Sequence, residues 1–244
     1  MGVDYKSLLD TSNSTTLRNR SVSSMSAALG GDSLDAWDGG GSTFFNLGLT
    51  QGSVDLSRSA ADLAADQIGP RTHGRYSKAS YALARLQKLP GLFTAYTALN
   101  GQFAANNLDS SEKFILGGSS AIRAYPSGEG SGDAGWVATL ELRYDLPAPT
   151  SLGRLQWFGF FDTGRITLNK TLWGPGAVTN ATNSNSYGLS GAGLGATLTQ
   201  ASRYNLRAFW ARTLGSNPGR SAAGNFSDGQ ASKNRIAVLA SFLF

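Results

Sequence analysis

The clearest pattern along the chain runs through residues 136–146. Trp136, Ala138, Leu140, Leu142, Tyr144 and Leu146 alternate there with Val137, Thr139, Glu141, Arg143 and Asp145. A period of two puts successive side chains on opposite faces, so the segment predicts a strand with one apolar and one polar face. Its length suits a strand tilted about 45° across the hydrocarbon core of a bilayer, and exceeds the roughly five or six residues usual in soluble sheets. The last segment, 235–244, repeats the pattern, with Ile236, Val238, Ala240, Phe242 and Phe244 on one face. Segments 155–163, 187–199 and 204–212 read as further strands, as do 16–29, 42–56, 74–89 and 92–103, giving nine. In 155–163, Leu155, Trp157 and Phe161 share one face, while Gln156, Phe158, Phe160 and Asp162 share the other.

Polar stretches rich in Gly, Asn, Asp, Ser and Pro separate these strands. Short joints such as DLPAPTSLG alternate with longer ones such as GGDSLDA followed by WDGGG, and SNPGRSAAGNFSDGQASKN. Short turns on one side and long loops on the other are how outer-membrane barrels are built; a soluble β-sandwich is the other reading of the pattern, with shorter strands and fewer glycines. Residues 59–69, SAADLAADQIG, fit a short helix or an irregular loop between strands.

Composition narrows the choice. Charged residues make up 15% of the 244, against about 25% in ordinary soluble domains, and there are 31 glycines. The net charge of +5 comes from scattered basic residues with no run, which argues against nucleic acid. With no cysteine and a single histidine, His73, there is no thiolate chemistry, no disulfide and no multi-histidine metal site. No cofactor is expected. The first residues, MGVDYKSLLD, lack the charged start and apolar stretch of a secretory signal, and no apolar run reaches the roughly 18 residues of a membrane helix.

Three strings invite enzymatic readings. FFDTG, 160–164, matches the apolar-Asp-Thr-Gly string of aspartic proteases, where two carboxylates share a proton, but it occurs once and Arg165 follows it. GAGLGA, 191–196, satisfies a loose dinucleotide fingerprint, yet TLTQASRYNL after it is strand and turn, so it reads as small residues inside a sheet. LGGSSA, 116–121, lacks the Gly-Lys-Ser/Thr of a phosphate loop, and no nucleophile elbow accompanies His73. The chain is therefore not expected to be an enzyme.

The stretch SSAIRAYPSGEGSGDAGW, 119–136, sets one arginine and one tyrosine among small residues. A lone loop arginine is most simply a solvated charge. However, EKFILGGSSAIRAYPSGEGSGDAGWVATLELRYDLP, 112–147, closely resembles the signature segment of two-partner-secretion transporters, the hemolysin secretion/activation family. Its Val-Arg-Gly/Ala-Tyr tetrad reads here Ile122, Arg123, Ala124, Tyr125. FGFFDTG, 158–164, resembles the family's strand motif, with Phe158, Asp162 and Gly164 in register. GQFAANNLDSSEKF, KASYALARLQKL, RTLGSNPG and the terminal Phe244 extend the resemblance over nearly the whole chain.

The resemblance implies an all-β fold, part of a sixteen-stranded outer-membrane barrel, in which a long loop folds back into the lumen. Arg123 would meet Asp162, Tyr125 would pack the loop against the inner wall, and Glu129 and Asp133 would join the network or solubilise the loop. Phe242 and Phe244 would form the terminal barrel signal. The implied partners are a secreted exoprotein of hemolysin or adhesin type, outer-membrane lipid and the barrel-assembly machinery. The implied location is the Gram-negative outer membrane. Against full family members, residues 1–244 correspond to the carboxy-terminal barrel region without periplasmic domains and first strands, the expectation being a fragment of a parent transporter. A barrel-assembly insertase of the same superfamily and an autotransporter-like adhesin are the other transport and surface readings.

Overall fold

The computed structural model describes residues 1–13, 15–201 and 203–242. Ten strands form one antiparallel sheet in the order β1-β2-β3-β4-β5-β8-β9-β10-β11-β12. They are β1 Gly2–Ser12, β2 Thr15–Asp35, β3 Gly41–Asp55, β4 Gly74–Lys88 and β5 Phe93–Ala104, then β8 Ala134–Asp145, β9 Arg154–Thr167, β10 Ser186–Gln200, β11 Tyr204–Leu214 and β12 Asn234–Phe242. The interrupting β6 Phe114–Ile115 and β7 Ser131–Gly132 pair with each other inside the connection from β5 to β8. One helix, α1 Ala60–Ile68, lies between β3 and β4, with the Ser59 hydroxyl accepting from the Asp62 amide at its start.

Sequence alternation anticipates nine strands; the tenth is β1. Its segment GVDYKSLLDTS puts Val3, Tyr5 and Leu9 on the outward face and Asp4, Lys6, Leu8 and Asp10 on the inward one. The ionic residues blur the apolar alternation, because Lys6 and Asp10 serve inward contacts described below. A second difference concerns GGDSLDA. It is not a loop: β2 continues through it, with Gly30 opposite Asn46 and Gly31 opposite Phe45, and the Phe45 ring lies over Gly31. Only 36–40, with a single 3-10 turn at Trp37–Gly39, remains as the joint to β3.

Connections alternate strictly in length along the rest of the sheet. The joints 36–40, 89–92, 146–153 and 201–203 lie at one rim, and the long segments 56–73, 105–133, 168–185 and 215–233 lie at the other. The outward face carries an exposed apolar band that includes Met25, Leu29, Leu47, Leu49, Leu83, Leu99, Leu140, Trp157, Leu194, Ile236 and Val238. A strand such as β8, at about 3.3 Å per residue and about 45° tilt, carries this band across about 28 Å.

The buried apolar core lies on the inward face and is built with the 105–133 loop. Leu116, Ile122, Ala124 and Tyr125 of the loop pack on Val137, Phe158, Phe160, Ile166, Tyr187, Leu189, Phe209 and Ala211 of the wall. A smaller cluster, Val22, Val54, Leu56, Tyr76, Ala104 and Leu108, sits under the start of the same loop. The loop therefore covers the inward face from β1 to β11.

Candidate functional site

β6 and β7 make a short stem that turns 116–130 inward. Within it, the Leu116 and Gly117 amides donate to Gly130 and Glu129 carbonyls, and the Ile122 and Tyr125 amides donate to Leu116 and Ile122 carbonyls. This compact tip presents Arg123 to the wall. The Arg123 amide and Nε donate to Asp162 Oδ2 at 3.1 and 2.9 Å, and Nη2 donates to Asp162 Oδ1 at 2.8 Å. Nη1 donates to Glu141 Oε2 at 2.5 Å.

Asp162 and Glu141 lie on adjacent strands with the same inward parity. Thr139, directly opposite Asp162, donates to Oδ1 at 3.0 Å, while Glu141 sits opposite Phe160. Glu141 also accepts from Arg143 Nε at 2.8 Å and Arg207 Nη2 at 2.7 Å. Two aromatic rings complete the arrangement. The Arg123 guanidinium lies 3.5 Å above the Phe160 centroid, and that of Arg207 lies 3.9 Å above Phe158. Asp162 is 0% exposed, Glu141 2% and Arg123 8%. Removing one member of so enclosed a pair strands a charge without water and costs about 3–5 kcal/mol, against about 0–1 for a solvated surface pair.

Small residues make the close approach fit. A Cβ at Gly191 would collide with that of Ala124, and one at Gly164 would strike Leu116 and the Trp136 carbonyl. GAGLGA thus belongs to the wall of this site: Gly193 and Gly195 stand where the Phe160 and Phe158 rings lie. Ala124, which takes the place of the commoner glycine, fits because its methyl meets a glycine on β10.

Tyr125 is 2% exposed and packs edge-on against Phe226 of 215–233, with centroids 5.6 Å apart. Its hydroxyl has no hydrogen-bond partner among the described residues. Burial, followed by the nearby Glu129 charge, pushes its phenol up to about 12, so it stays neutral near pH 7.

The other residues expected in this network lie elsewhere. Glu129 accepts from Asn217 Nδ2 at 2.5 Å and the Ser227 amide at 2.7 Å, tying the tip to the β11–β12 loop. Asp133 pairs with Lys113 at 2.9 Å and accepts the Leu108 and Lys170 amides at 3.1 and 2.7 Å. Neither touches Arg123. Phe242 is exposed on the outward face of β12, and Phe244 lies outside the described residues.

Glu141, Arg207 and the stacking role of Phe160 were not singled out from sequence. Glu141 has inward parity in the alternating segment 136–146, which was a usable signal. Nothing in the sequence sets β11 in register to bring Arg207 within reach.

The base of the loop has its own ionic anchors. Glu112 meets Lys6 Nζ at 2.6 Å and Lys78 Nζ at 3.0 Å, and Arg20 lies 2.9 Å from Asp109 and 2.8 Å from Asp10. For a protease reading, Asp162 is the only carboxylate in FFDTG; it is closed from solvent and held by Arg123 and Thr139 rather than by a second acid.

An outward apolar band, a polar inward face, alternating short and long connections and a loop held against the inner wall together define the wall of a transmembrane β-barrel. The chain belongs to the haemolysin secretion/activation protein ShlB/FhaC/HecB family, whose model matches residues 1–198. It is 28% identical over 204 residues to the Heme/hemopexin transporter protein HuxB of Haemophilus influenzae, covering 82% of this chain and 34% of that protein. The HuxB of strain KW20/Rd is 27% identical over the same length. The chain thus spans about a third of the length of these relatives.

Among solved structures, CdiB from Escherichia coli superposes with a TM-score of 0.72 at 16% identity, over 98% of this chain and 41% of that one. BamA from Haemophilus ducreyi lacking POTRA domains 1-3 gives 0.50 at 12% identity, over 98% and 57%. At these identities the likeness is one of fold, that of outer-membrane β-barrel proteins.

Proposed function

We propose that the chain forms part of the barrel wall of a bacterial outer-membrane transporter that exports a large exoprotein by two-partner secretion, and that it acts by conduction rather than catalysis. The 105–133 loop is its movable element, and the Arg123 network is the latch that holds the loop in the lumen. The observation that carries this reading is the enclosure of Arg123 between Asp162 and Glu141 on the inward face. Outer-membrane lipid surrounds the apolar band, and the barrel-assembly machinery inserts the strands.

The experiment uses the full-length parent. Arg123→Ala is expected to lower export of the cognate exoprotein while barrel abundance and heat-modifiable migration stay near normal. Unchanged export would remove the latch role.

A further inference from the structure

Three exposed arginines face outward at the long-loop rim: Arg75 on β4, Arg165 on β9 and Arg212 on β11. Their shared position is the strand end, not the hydrogen-bonded register. Arg212 is in line across the sheet with Ala192, Phe161, Leu140, Thr97 and finally Arg85 near the short-turn rim. A sheet sheared in this way brings strand ends, rather than register partners, to a common height. Each of the three lies within two residues of the loop-side end of its strand.

Among the described residues none of the three forms an ion pair. At the opposite rim the outward Arg85 is neutralised by Asp35 at 2.8 Å and stacks 5.4 Å from the Trp37 centroid. Arg85 is thus paired where the three rim arginines are not.

Arg165 and Arg212 flank β10, where Gly188 and Ala192 are their register partners. Two strand spacings and four residues put their backbones about 16 Å apart. The outward residues of β10 between them, Gly188, Ser190 and Ala192, are small, so the ground between the arginines is low. Its floor carries hydroxyls: Thr163 and Ser190 lie 2.8 Å apart, and Arg165 Nε donates to Ser186 Oγ at 3.1 Å. Trp136 stands opposite Arg165 on β8.

We propose that Arg165 and Arg212, with Arg75 further along the rim, bind the phosphates of a membrane lipid whose headgroup carries more than one phosphate. The guanidinium fork matches a phosphate bidentately, and the apolar band directly beneath receives the acyl chains. Two separated cations select a headgroup with two separated phosphates over one with a single phosphate. The proposal depends on the outward face meeting lipid and is independent of the export role of Arg123.

The test is native mass spectrometry of the full 244-residue chain folded in uncharged detergent. It is titrated with a bisphosphorylated glycolipid, the monophosphorylated form, phosphatidylcholine and inorganic phosphate. The bisphosphorylated lipid is expected to bind most tightly. At about fivefold per arginine, R165Q/R212Q should weaken it about twenty-five-fold, and R85Q at the other rim should leave it unchanged. R165K/R212K, which keeps the charge without the fork, should fall between. The comparison of lipids on the unaltered chain needs no variant to fold. Equal affinity for phosphatidylcholine, an unaffected double variant, or displacement of the lipid by equimolar inorganic phosphate would each overturn the proposal.

Discussion

Arg123→Ala separates the two carboxylates of the site by what each retains. Asp162, fully buried, loses the two hydrogen bonds from the Arg123 guanidinium and keeps those from the residue-123 amide and the Thr139 hydroxyl, neither of which carries a charge. Glu141 loses one and keeps Arg143 and Arg207. The substitution should therefore cost about 3–5 kcal/mol, nearly all from the stranded Asp162 charge. Adding Asp162→Asn in that background removes the charge and should restore about 1–3 kcal/mol. Adding Glu141→Gln should restore nothing, because it leaves Arg143 and Arg207 without their carboxylate. Urea unfolding of the folded chain, followed by loss of heat-modifiable migration, measures all four proteins. An R123A variant within 1 kcal/mol of the unaltered chain, as for a solvated pair, would refute the burial argument. Equal rescue by D162N and E141Q would refute the asymmetry.

Gly191→Ala should push the tip off the wall at a cost of about 1–3 kcal/mol, seen as new protease cleavage in 116–130, and Ala124→Gly added to it should restore protection. Phe226→Ala should cost about 3–5 kcal/mol and, by wetting Tyr125, bring its phenol down from about 12 toward 10, read by ultraviolet pH titration. Burial pushes the Glu112 carboxyl up, but bonds from Lys6 and Lys78 outweigh it and hold it below its ordinary 4.5. The stabilisation this gives is present above that value and is lost as pH falls through the lowered one, so protease protection of 105–113 should fall in that acid range and Glu112→Gln should abolish the dependence.

Where strand faces are set by alternation, sequence was a good guide. Residues 136–146 give the outward and inward faces of β8 correctly, and the parity of Asp162 with Gln156 points it inward. Alternation speaks only within a strand, however. The meeting of Glu141, Phe160 and Arg207 depends on register among β8, β9, β10 and β11, which long-range pairing decides. β1 was missed because its inward positions hold Lys6 and Asp10, whose partners Glu112 and Arg20 are distant in the chain. GGDSLDA was misread as a loop because its glycines answer to the Phe45 and Asn46 side chains on β3, an adjustment invisible along one strand. Glu129 and Asp133, left open between joining the Arg123 network and solubilising the loop, are both buried and do not touch Arg123. Glu129 is held by the 215–233 loop, and Asp133 by Lys113 and the Leu108 and Lys170 amides.

The two fastenings of the 105–133 loop differ in kind. At the base, Glu112 and Asp109 are carried by the loop and their cations by β1, β2 and β4. At the tip the cation is on the loop and the carboxylates are on β8 and β9. Withdrawing the tip alone moves Arg123 toward water, where a guanidinium is readily solvated. It leaves Glu141 neutralised by Arg143 and Arg207 and exposes Asp162 to whatever water follows the loop out. Withdrawing the base removes Glu112 and Asp109 together and leaves three cations on the inward wall, Lys6, Lys78 and Arg20, against two carboxylates. These are Asp4 at 3.5 Å from Lys6 and Asp10 at 2.8 Å from Arg20, so that Lys78 is left unpaired. Release of the tip therefore separates fewer ion pairs, two against three, than release of the base. On the proposed export role, the loop would pivot about 105–113 and keep its contacts with β1, β2 and β4 while the face of β8 to β11 is uncovered.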